Sequence, residues 1–351
     1  MKIFLPLSWI YGGVMAFRNW LFDHGHLTQE KFDLPVISVG NIAVGGTGKT
    51  PHSEYLLRLL TKQGYKCAML SRGYGRKSKG YQTARGSQPY QVGDEPWQVQ
   101  KKFPNVDVCV CEKRVTGIHR LRETIHPEVI ILDDAYQHRY VKPGLSILLT
   151  DFSRPYYHDQ VMPAGRLREF KNGAKRADII LVTKCPKGIS GILQQEMTAF
   201  LQPRPWQTVY FTYFDYGKLY PFEQREHAED QPYEDLSSSR ILLLCGIAQP
   251  KSLINYLQPH CQTLKLAAFP DHHNFSDEEI EKLGQEAKAY DWVVTTEKDA
   301  ARLSSYQLPE TLKKRLLVQP VEVRFINNQA EKFNQTILNY VTENTRNSKL
   351  D

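Results

Sequence analysis

Short, continuously apolar runs alternate with segments of helical spacing through the first two hundred residues. These runs predict strands over 36–39, 67–70, 106–110, 129–132, 146–149, 179–182 and 209–213. Between the first two runs, the leucines of 53–63 recur at the spacing of one helix face. Strands that are apolar along their whole length and separated by helices are typical of a parallel sheet covered on both faces. The pattern therefore predicts an α/β fold with a mostly parallel sheet.

A polar stretch over 223–239 interrupts this alternation, and a second, smaller α/β unit follows it. Its apolar runs predict strands over 241–244, 264–267, 292–295 and 316–323. Ser276 and Glu279 form a capping box at the start of a predicted helix, and a final helix is predicted over 329–341. We expect four parts: an N-terminal helix (1–25), a nucleotide-binding domain (26–222), a linker (223–239) and a smaller C-terminal domain (240–351). The last helix could instead pack back on the first domain.

The N-terminus has fifteen uncharged residues over 3–17, followed by Arg18. This run is shorter than the roughly 20 apolar residues that span a bilayer. Three interpretations stay open: a signal peptide, a helix of the hydrophobic core, or an interfacial helix with aromatic side chains along it.

Composition excludes few partners. The chain has 351 residues, of which 41% are hydrophobic, and a net charge of +7 without a block of Lys and Arg. Nucleic acid is therefore not the expected partner, whereas a polyanionic nucleotide, a phosphorylated substrate or an anionic membrane surface would suit this charge. Four of the six cysteines lie in apolar runs, which is typical of a reducing compartment.

The first predicted strand leads directly into a glycine-rich loop and a helix. This loop reads Ala43, Val44, Gly45, Gly46, Thr47, Gly48, Lys49, Thr50. Its glycines let backbone N–H groups surround a phosphate at a helix N-terminus, with the lysine on the β- and γ-phosphates and the last hydroxyl on Mg²⁺. Ala43 stands where the usual pattern has glycine, and Gly45 and Gly46 are expected to supply the flexibility. The context predicts a P-loop that binds a nucleotide.

A second phosphate-site signal lies at the end of the run over 129–132. There Asp133 and Asp134 follow the apolar residues, which is the Walker-B arrangement of a carboxylate that holds Mg²⁺. A turn or a helix N-cap is the structural alternative.

Three further polar clusters fall in segments predicted to be loops. They are Gly93-Asp94-Glu95-Pro96, the segment from Pro163 to Glu169 with Arg166 and Arg168, and Phe269-Pro270-Asp271-His272-His273. Carboxylates suit metal binding or proton abstraction, arginines stabilise a transferring phosphoryl group, and an exposed histidine titrates near neutrality.

Taken in order, these motifs resemble the tetraacyldisaccharide 4′-kinases, the lipid A 4′-kinases of Gram-negative bacteria. The matching segments are 39–41, 45–51, 71–76 (Ser-Arg-Gly-Tyr-Gly-Arg), 92–96, 132–138 (Leu-Asp-Asp-Ala-Tyr-Gln-His), 163–169, 269–273 and Thr296-Glu297-Lys298-Asp299. They cover nearly the whole chain.

The resemblance implies an activity and a place of action. It implies an ATP-dependent, Mg²⁺-using kinase that phosphorylates the 4′-hydroxyl of a tetraacylated glucosamine disaccharide 1-phosphate to give lipid IVA. It also implies that the N-terminal helix contacts the bacterial inner membrane at its cytoplasmic face, with no nucleic-acid partner and no obligate protein partner. This favours the interfacial interpretation of residues 3–17.

Site residues carried over from the family fall into four groups. Residues 43–50 would bind ATP. Thr50, Glu95, Asp133 and Asp134 would hold the metal. Asp94 would take the proton of the attacking hydroxyl, paired with His272, which is favoured over the adjacent His273. Lys49 and Arg168 would neutralise the transferring group. Arg72, Tyr74, Arg76 and Glu169 would contact the acceptor or support the site.

Two other functions are also compatible with a P-loop. One is another small-molecule P-loop kinase, which gives no reason for the apolar N-terminus. The other is a nucleotide-switch ATPase docked at the membrane, which would hydrolyse ATP slowly without an acceptor.

Overall fold

The computed structural model of the chain describes residues 4–223, 236–247, 250–270 and 273–347. Within these ranges the strands form one sheet of nine and one of five. The predicted α/β fold, with a mostly parallel sheet and a second, smaller sheet, is confirmed.

The large sheet has the order β14-β8-β7-β6-β1-β5-β2-β4-β3. Its strands are β1 (Val36–Gly40), β2 (Cys67–Ser71), β3 (Gln82–Thr83), β4 (Asp107–Val110), β5 (Val129–Asp133), β6 (Leu145–Asp151), β7 (Ile179–Thr183), β8 (Thr208–Tyr216) and β14 (Val321–Phe325). The edge strands β3 and β14 pair antiparallel and the others parallel. Strands β1 and β5 are buried along their whole length, which explains their continuously apolar sequences.

The small sheet has the order β11-β10-β12-β13-β9. Its strands are β9 (Tyr220–Pro221), β10 (Arg240–Cys245), β11 (Thr263–Ala268), β12 (Trp292–Thr296) and β13 (Leu316–Gln319).

Eleven α-helices connect or cover these strands in the described ranges. They are α1 (Leu5–Asp23), α2 (Lys49–Lys62), α3 (Pro89–Val92), α4 (Asp94–Lys102), α5 (Arg114–Thr124), α6 (Gly191–Leu201), α7 (Lys251–Leu257), α8 (Asp277–Glu286), α9 (Glu297–Leu303), α10 (Glu310–Lys313) and α11 (Ala330–Asn347). The predicted capping box at the start of α8 is present.

The prediction of one strand over 316–323 is wrong. Pro320 separates β13, in the small sheet, from β14, in the large one, where Val321 pairs with Tyr216. Proline cannot donate to a sheet ladder, so a break there is favoured. Helix α11 then packs Phe333, Ile337 and Val341 into the core of the large sheet. The chain thus returns to its first sheet after building its second.

Helix α1 turns its large apolar side chains outward. Its exposed large residues are Leu7, Trp9, Ile10, Val14, Phe17 and Trp20, while Ser8, Gly12 and Phe22 are buried. The Ser8 hydroxyl accepts a hydrogen bond from the Ala164 amide at 2.9 Å, and Gly12 faces the Phe170 ring. No helix of the described residues is long and apolar enough to cross a bilayer.

Candidate active site

The glycine-rich loop lies between the end of β1 and the start of α2, as predicted. The Val44 amide donates to the Arg166 carbonyl at 2.8 Å, and the Thr183 hydroxyl donates to the Thr47 carbonyl at 2.8 Å. Asn41 Nδ2 donates to Thr47 Oγ1 at 2.8 Å. These bonds from three separate segments hold the loop in one shape.

Gly48 forms the N-cap of α2 with a φ of 87°. This left-handed conformation strains any residue with a Cβ. The turn directs the backbone into the N-terminus of α2, where the free N–H groups and the helix dipole attract anions.

Lys49, Asp134 and Arg168 come together at this end of α2. Lys49 Nζ lies 3.5 Å from Asp134 Oδ1, and Arg168 Nη1 lies 3.2 Å from the same oxygen. Burial alone would raise the pKa of Asp134, but the charges of Lys49 and Arg168 outweigh it and the pKa falls below its usual value. One carboxylate therefore aligns two cations at the expected position of the phosphates.

Asp133 lies beside this cluster but is buried. Its Oδ1 accepts a hydrogen bond from the Ser53 hydroxyl at 2.9 Å, and its backbone is in register with Val39 of β1. Burial, reinforced by the charges of Glu95 and Asp134, raises the pKa of Asp133 to about 7. The pKa values of the two adjacent aspartates thus shift in opposite directions, because Lys49 and Arg168 outweigh burial at Asp134, whereas burial and the neighbouring carboxylates outweigh Lys49 at Asp133.

The donors available to Mg²⁺ are oxygens, as that ion requires. The Thr50 hydroxyl donates to Glu95 Oε2 at 3.2 Å, which links the first turn of α2 to the first turn of α4. No cluster of three or more His, Cys, Asp or Glu side chains in the described ranges is arranged to hold a metal by itself. Mg²⁺ commonly takes one or two carboxylates and completes its shell with phosphate and water, so these residues fit it.

Asp94 and Glu95 are not in a loop, contrary to the sequence-based expectation. They are the first two residues of α4, and Pro96 is the third. Proline is tolerated in a first turn because its missing N–H has no partner there in any helix. Both carboxylates therefore project from the N-terminal turn of helix α4.

The expected pairing of Asp94 with His272 stays a prediction, because His272 lies outside the described residues. Its Oδ2 accepts instead from Arg302 Nε at 3.0 Å. Arg302 belongs to α9, next to the small sheet, so this contact joins the two units.

The segment over 71–76 lies next to the N-terminus of α4. A Cβ on Gly93 would meet the Tyr74 carbonyl oxygen at 2.9 Å, so the two backbones are in close contact. Tyr74 is exposed, whereas the Arg76 side chain is buried against Glu112. Of the three residues in this segment predicted to contact the acceptor, Arg72 and Tyr74 have exposed side chains.

Glu169 is buried and supports the same region. It accepts hydrogen bonds from Asn19 at 2.8 Å, Gln137 at 3.1 Å and Arg176 at 2.8 Å. Because Asn19 belongs to α1, Glu169 ties the N-terminal helix to the segment that carries Arg168.

A cavity of about 310 Å³ opens from the loop toward the small sheet. Besides residues 43–51 it is lined by Glu95, Lys184, Phe214, Tyr216, Leu253, Glu297, Lys298, Gln319 and Val321, among others. It is polar at the loop and apolar toward Phe214, Leu253 and Val321, which suits a nucleotide with its base at the apolar end.

Several residues of the site were not predicted. Ser53, Lys184 and Arg302 approach it only through the fold, and Arg114 starts α5 beside it. The Arg114 side chain is buried, and its Nε and Nη2 have no hydrogen-bond partner among the described residues. A strand, a glycine-rich loop, a helix that begins with Lys49 and a carboxylate on the neighbouring strand define a P-loop nucleotide-binding protein.

Comparison with known proteins narrows this class. The chain belongs to the tetraacyldisaccharide-1-P 4′-kinase (LpxK) family, whose model matches residues 1–342. It is 46% identical to the tetraacyldisaccharide 4′-kinase of Bacteroides thetaiotaomicron, over 99% of this chain and 95% of that one. It is 44% identical to the enzyme of the same name from Flavobacterium johnsoniae, over 98% of both chains. The crystal structure of LpxK from Aquifex aeolicus in complex with ATP superposes with a TM-score of 0.75 at 28% identity, covering 97% of this chain and 99% of that one. The resemblance seen in the sequence is confirmed.

Proposed function

We propose that the protein transfers the γ-phosphate of ATP to the 4′-hydroxyl of a tetraacylated glucosamine disaccharide 1-phosphate, giving lipid IVA in lipid A biosynthesis. The observation that carries the proposal is the meeting of Lys49, Arg168 and Asp134 at the P-loop of a chain in this family. Phosphoryl transfer needs positioning and charge stabilisation more than covalent chemistry, and this arrangement supplies both.

ATP would lie in the cavity between the two units. Backbone N–H groups of residues 43–50 would surround the β-phosphate, and Lys49 would contact the β- and γ-phosphates. Arg168, now paired with Asp134, would turn to the transferring group and neutralise its charge.

Thr50 and Glu95 would hold Mg²⁺, with Asp133 and Asp134 beside them. When bound, this ion would neutralise charge on the phosphate oxygens. The existing Thr50–Glu95 contact of 3.2 Å places the two donors together without rearrangement of either helix.

Asp94 would accept the proton of the attacking hydroxyl, with His272 as its expected partner. Its place at the first turn of α4, one residue before Glu95, sets the proton acceptor next to the metal donors. A general base must lie within hydrogen-bond reach of the hydroxyl, and a helix N-terminus fixes such a position well.

The acceptor would approach from the side of residues 71–76. Tyr74 offers an exposed ring for a sugar face, and the exposed Arg72 offers a guanidinium group for the 1-phosphate. Glu169 would act by holding Arg168 and α1 in place rather than by contact with the sugar.

Helix α1 would lie in the membrane interface, at the cytoplasmic face of the inner membrane. Its outward Trp, Phe, Leu and Ile side chains match the composition of an interfacial helix, and Glu169 and Ser8 fix it to the active-site unit. An acceptor with four acyl chains would then reach the site without leaving the bilayer.

The test is incubation of the protein with ATP, Mg²⁺ and the disaccharide acceptor in detergent, followed by mass analysis of the lipid. We expect a product heavier by one phosphate, and ATP consumption in proportion to the acceptor. An ATP hydrolysis rate that does not depend on the acceptor would indicate a switch ATPase instead. Absence of lipid product from folded protein would contradict the proposal.

A further inference from the structure

The motif Thr296-Glu297-Lys298-Asp299 has no role in the chemistry described so far. It spans the end of β12 and the first turn of α9, and the Thr296 hydroxyl caps this helix by accepting from the Asp299 amide at 3.1 Å. Helix α9 belongs to the small unit, but its charged side chains point at α4 of the large one.

Three ion pairs join α9 to α4. Arg302 Nε lies 3.0 Å from Asp94 Oδ2, and Lys298 Nζ lies 3.4 Å from Glu95 Oε1. At the other end of α4, Lys102 Nζ lies 2.8 Å from Glu297 Oε1. Helix α4, which carries the proposed base and a proposed metal donor, is thus held along its length by one helix of the other unit.

Arg302 is anchored within its own unit before it reaches Asp94. Its Nη1 donates to Asp299 Oδ1 at 2.8 Å and to the Gly246 carbonyl at 3.0 Å. Asp299 is itself held, because it accepts from the Gly246 amide at 2.9 Å and the Thr296 hydroxyl at 2.8 Å. The side chains of Arg302 and Asp299 are 4% and 0% exposed, so this arrangement is rigid.

With Nη1 anchored in this way, the Nε of Arg302 faces Asp94, whose side chain is 29% exposed. A guanidinium presents its donors in a fixed plane, so anchoring Nη1 also determines where Nε points. The position of the Asp94 carboxylate therefore depends on how the small unit sits on the large one.

We propose that Arg302 is a positioning residue for Asp94, which couples the placement of the base to the docking of the small unit. The inference rests on the proposed function, since it concerns the same phosphoryl transfer. Arg302 does not touch the reacting atoms. It sets the direction of the carboxylate that does.

The experiment compares Arg302→Met and Arg302→Lys with wild type in the lipid phosphorylation assay. A base displaced by about 1 Å can lose roughly 100-fold in rate, so we expect kcat of Arg302→Met to fall by about 10- to 100-fold. ATP affinity, measured by calorimetry, and KM for the acceptor should change less than about threefold, because Arg302 bonds to Asp94, Gly246 and Asp299, which belong neither to the P-loop nor to residues 71–76. Arg302→Lys keeps the charge but not the fork, so its kcat should lie between the other two.

A double-mutant cycle with Asp94→Asn separates positioning from a general structural effect. In the Asp94→Asn background, Arg302→Met should cost little further kcat, because the carboxylate that it positions is gone. Arg240→Met is the matched control, since it removes another Arg–Asp pair of the small unit, with Asp291, on the exposed side. This variant should keep wild-type kcat.

Wild-type kcat in Arg302→Met would overturn the proposal, as would equal losses in the two backgrounds. If circular dichroism shows that Arg302→Met is unfolded, Arg302→Lys becomes the test variant. A wild-type kcat in Arg302→Lys would then refute the coupling. Failure of wild type itself to phosphorylate the lipid would refute the proposed function, which keeps the two failures apart.

Discussion

The ring of Phe214 lies against Gly48, so that a Cβ on this glycine would come within 2.6 Å of Phe214 Cζ. Phe214 belongs to β8, whose end at Tyr216 leads into the small unit, and Gly48 starts the helix of the P-loop. The same glycine has a φ of 87°. Conformation and contact therefore both require glycine here.

Gly48→Ala should lose stability and nucleotide affinity together. The left-handed backbone alone costs a residue with a Cβ about 1–2 kcal/mol, and the contact with Phe214 adds to it. We expect ATP affinity to fall at least about tenfold. Gly64→Ala is the control, because its φ is 85° with no atom near its Cβ. It should lose only the conformational part, measured by urea unfolding, and keep ATP affinity. Equal losses in the two variants would show that Phe214 does not matter.

Lys49→Met should abolish most phosphoryl transfer, since it removes the cation expected on the β- and γ-phosphates. Loss of one such stabilising group lowers kcat by about 10²–10³-fold. Lys62→Met, at the exposed end of the same helix, should leave kcat unchanged. An active Lys49→Met variant would remove the lysine from the mechanism.

Lys102→Met should be strongly destabilising. Its ammonium lies 2.6 Å from Glu54 and 2.8 Å from Glu297, and both carboxylates are buried. Burial raises the pKa of Glu54, while the two carboxylates outweigh burial and raise the pKa of Lys102. Removing one partner of a buried ion pair costs about 3–5 kcal/mol.

Urea unfolding measures this cost, and two further variants interpret it. Lys101→Met, on the exposed side of α4, should change stability little. The triple variant Glu54→Gln, Lys102→Met, Glu297→Gln should recover much of the loss because no unpaired charge remains. A loss as small as that of Lys101→Met would mean that solvent already screens the three charges.

Stability should fall in mild acid because of His138. Burial, aided by the charges of Arg114 and Arg72, lowers the pKa of His138 to about 4. The unfolded chain, with a histidine pKa near 6.5, then binds the proton more tightly than the folded one. Stability is therefore full above about pH 6.5 and is lost as the pH falls toward 4.

Although His52, whose pKa burial also lowers to about 4, keeps its own contribution, His138→Gln should remove the contribution of His138. Between pH 7.5 and 5 the histidine accounts for about 2 kcal/mol of lost stability, measured by urea unfolding at the two pH values. His260→Gln, at an exposed position, should keep the wild-type difference. The same pH difference in His138→Gln and wild type would exclude His138 as its source.

Membrane binding should depend on the outward face of α1. Replacing Trp9, Phe17 and Trp20 by Ser removes three exposed aromatic side chains, and we expect partitioning onto anionic vesicles to fall at least about tenfold. Leu266→Ser, on an exposed apolar residue of the small sheet, is the control and should not change sedimentation with vesicles. Unchanged sedimentation of the triple variant would exclude this face of α1.

Most strands were predictable to within three residues because they are buried on both faces and so read as unbroken apolar runs. The two-residue strands β3 and β9 and the break between β13 and β14 were not predicted. The phosphate loop was predictable because its glycines, lysine and threonine are adjacent in sequence. The start of α4 was not, since Gly93 and Pro96 both favour a turn and only the first-turn tolerance of proline reconciles them with a helix.

Contacts between distant segments could not be predicted from the local pattern, and only the family resemblance grouped residues such as Thr50 and Glu95. Arg302 and Asp94 are 208 residues apart, and neither residue carries a local signal for the other. The return of the chain to the large sheet was signalled only by Pro320, inside an otherwise apolar run. What the sequence predicts well is thus local chemistry and burial, while the partners across the two units depend on packing.

The position of β14 and α11 has a consequence for how the protein is made. The large sheet receives its first central strand at residue 36, yet its last edge strand and the helix that buries Phe333 come from residues 321–347. Synthesis proceeds from the N-terminus, and domains usually fold in that order as they leave the ribosome. Here the unit begun first is completed last, so nascent chains must keep part of its core uncovered until the whole small unit has been translated.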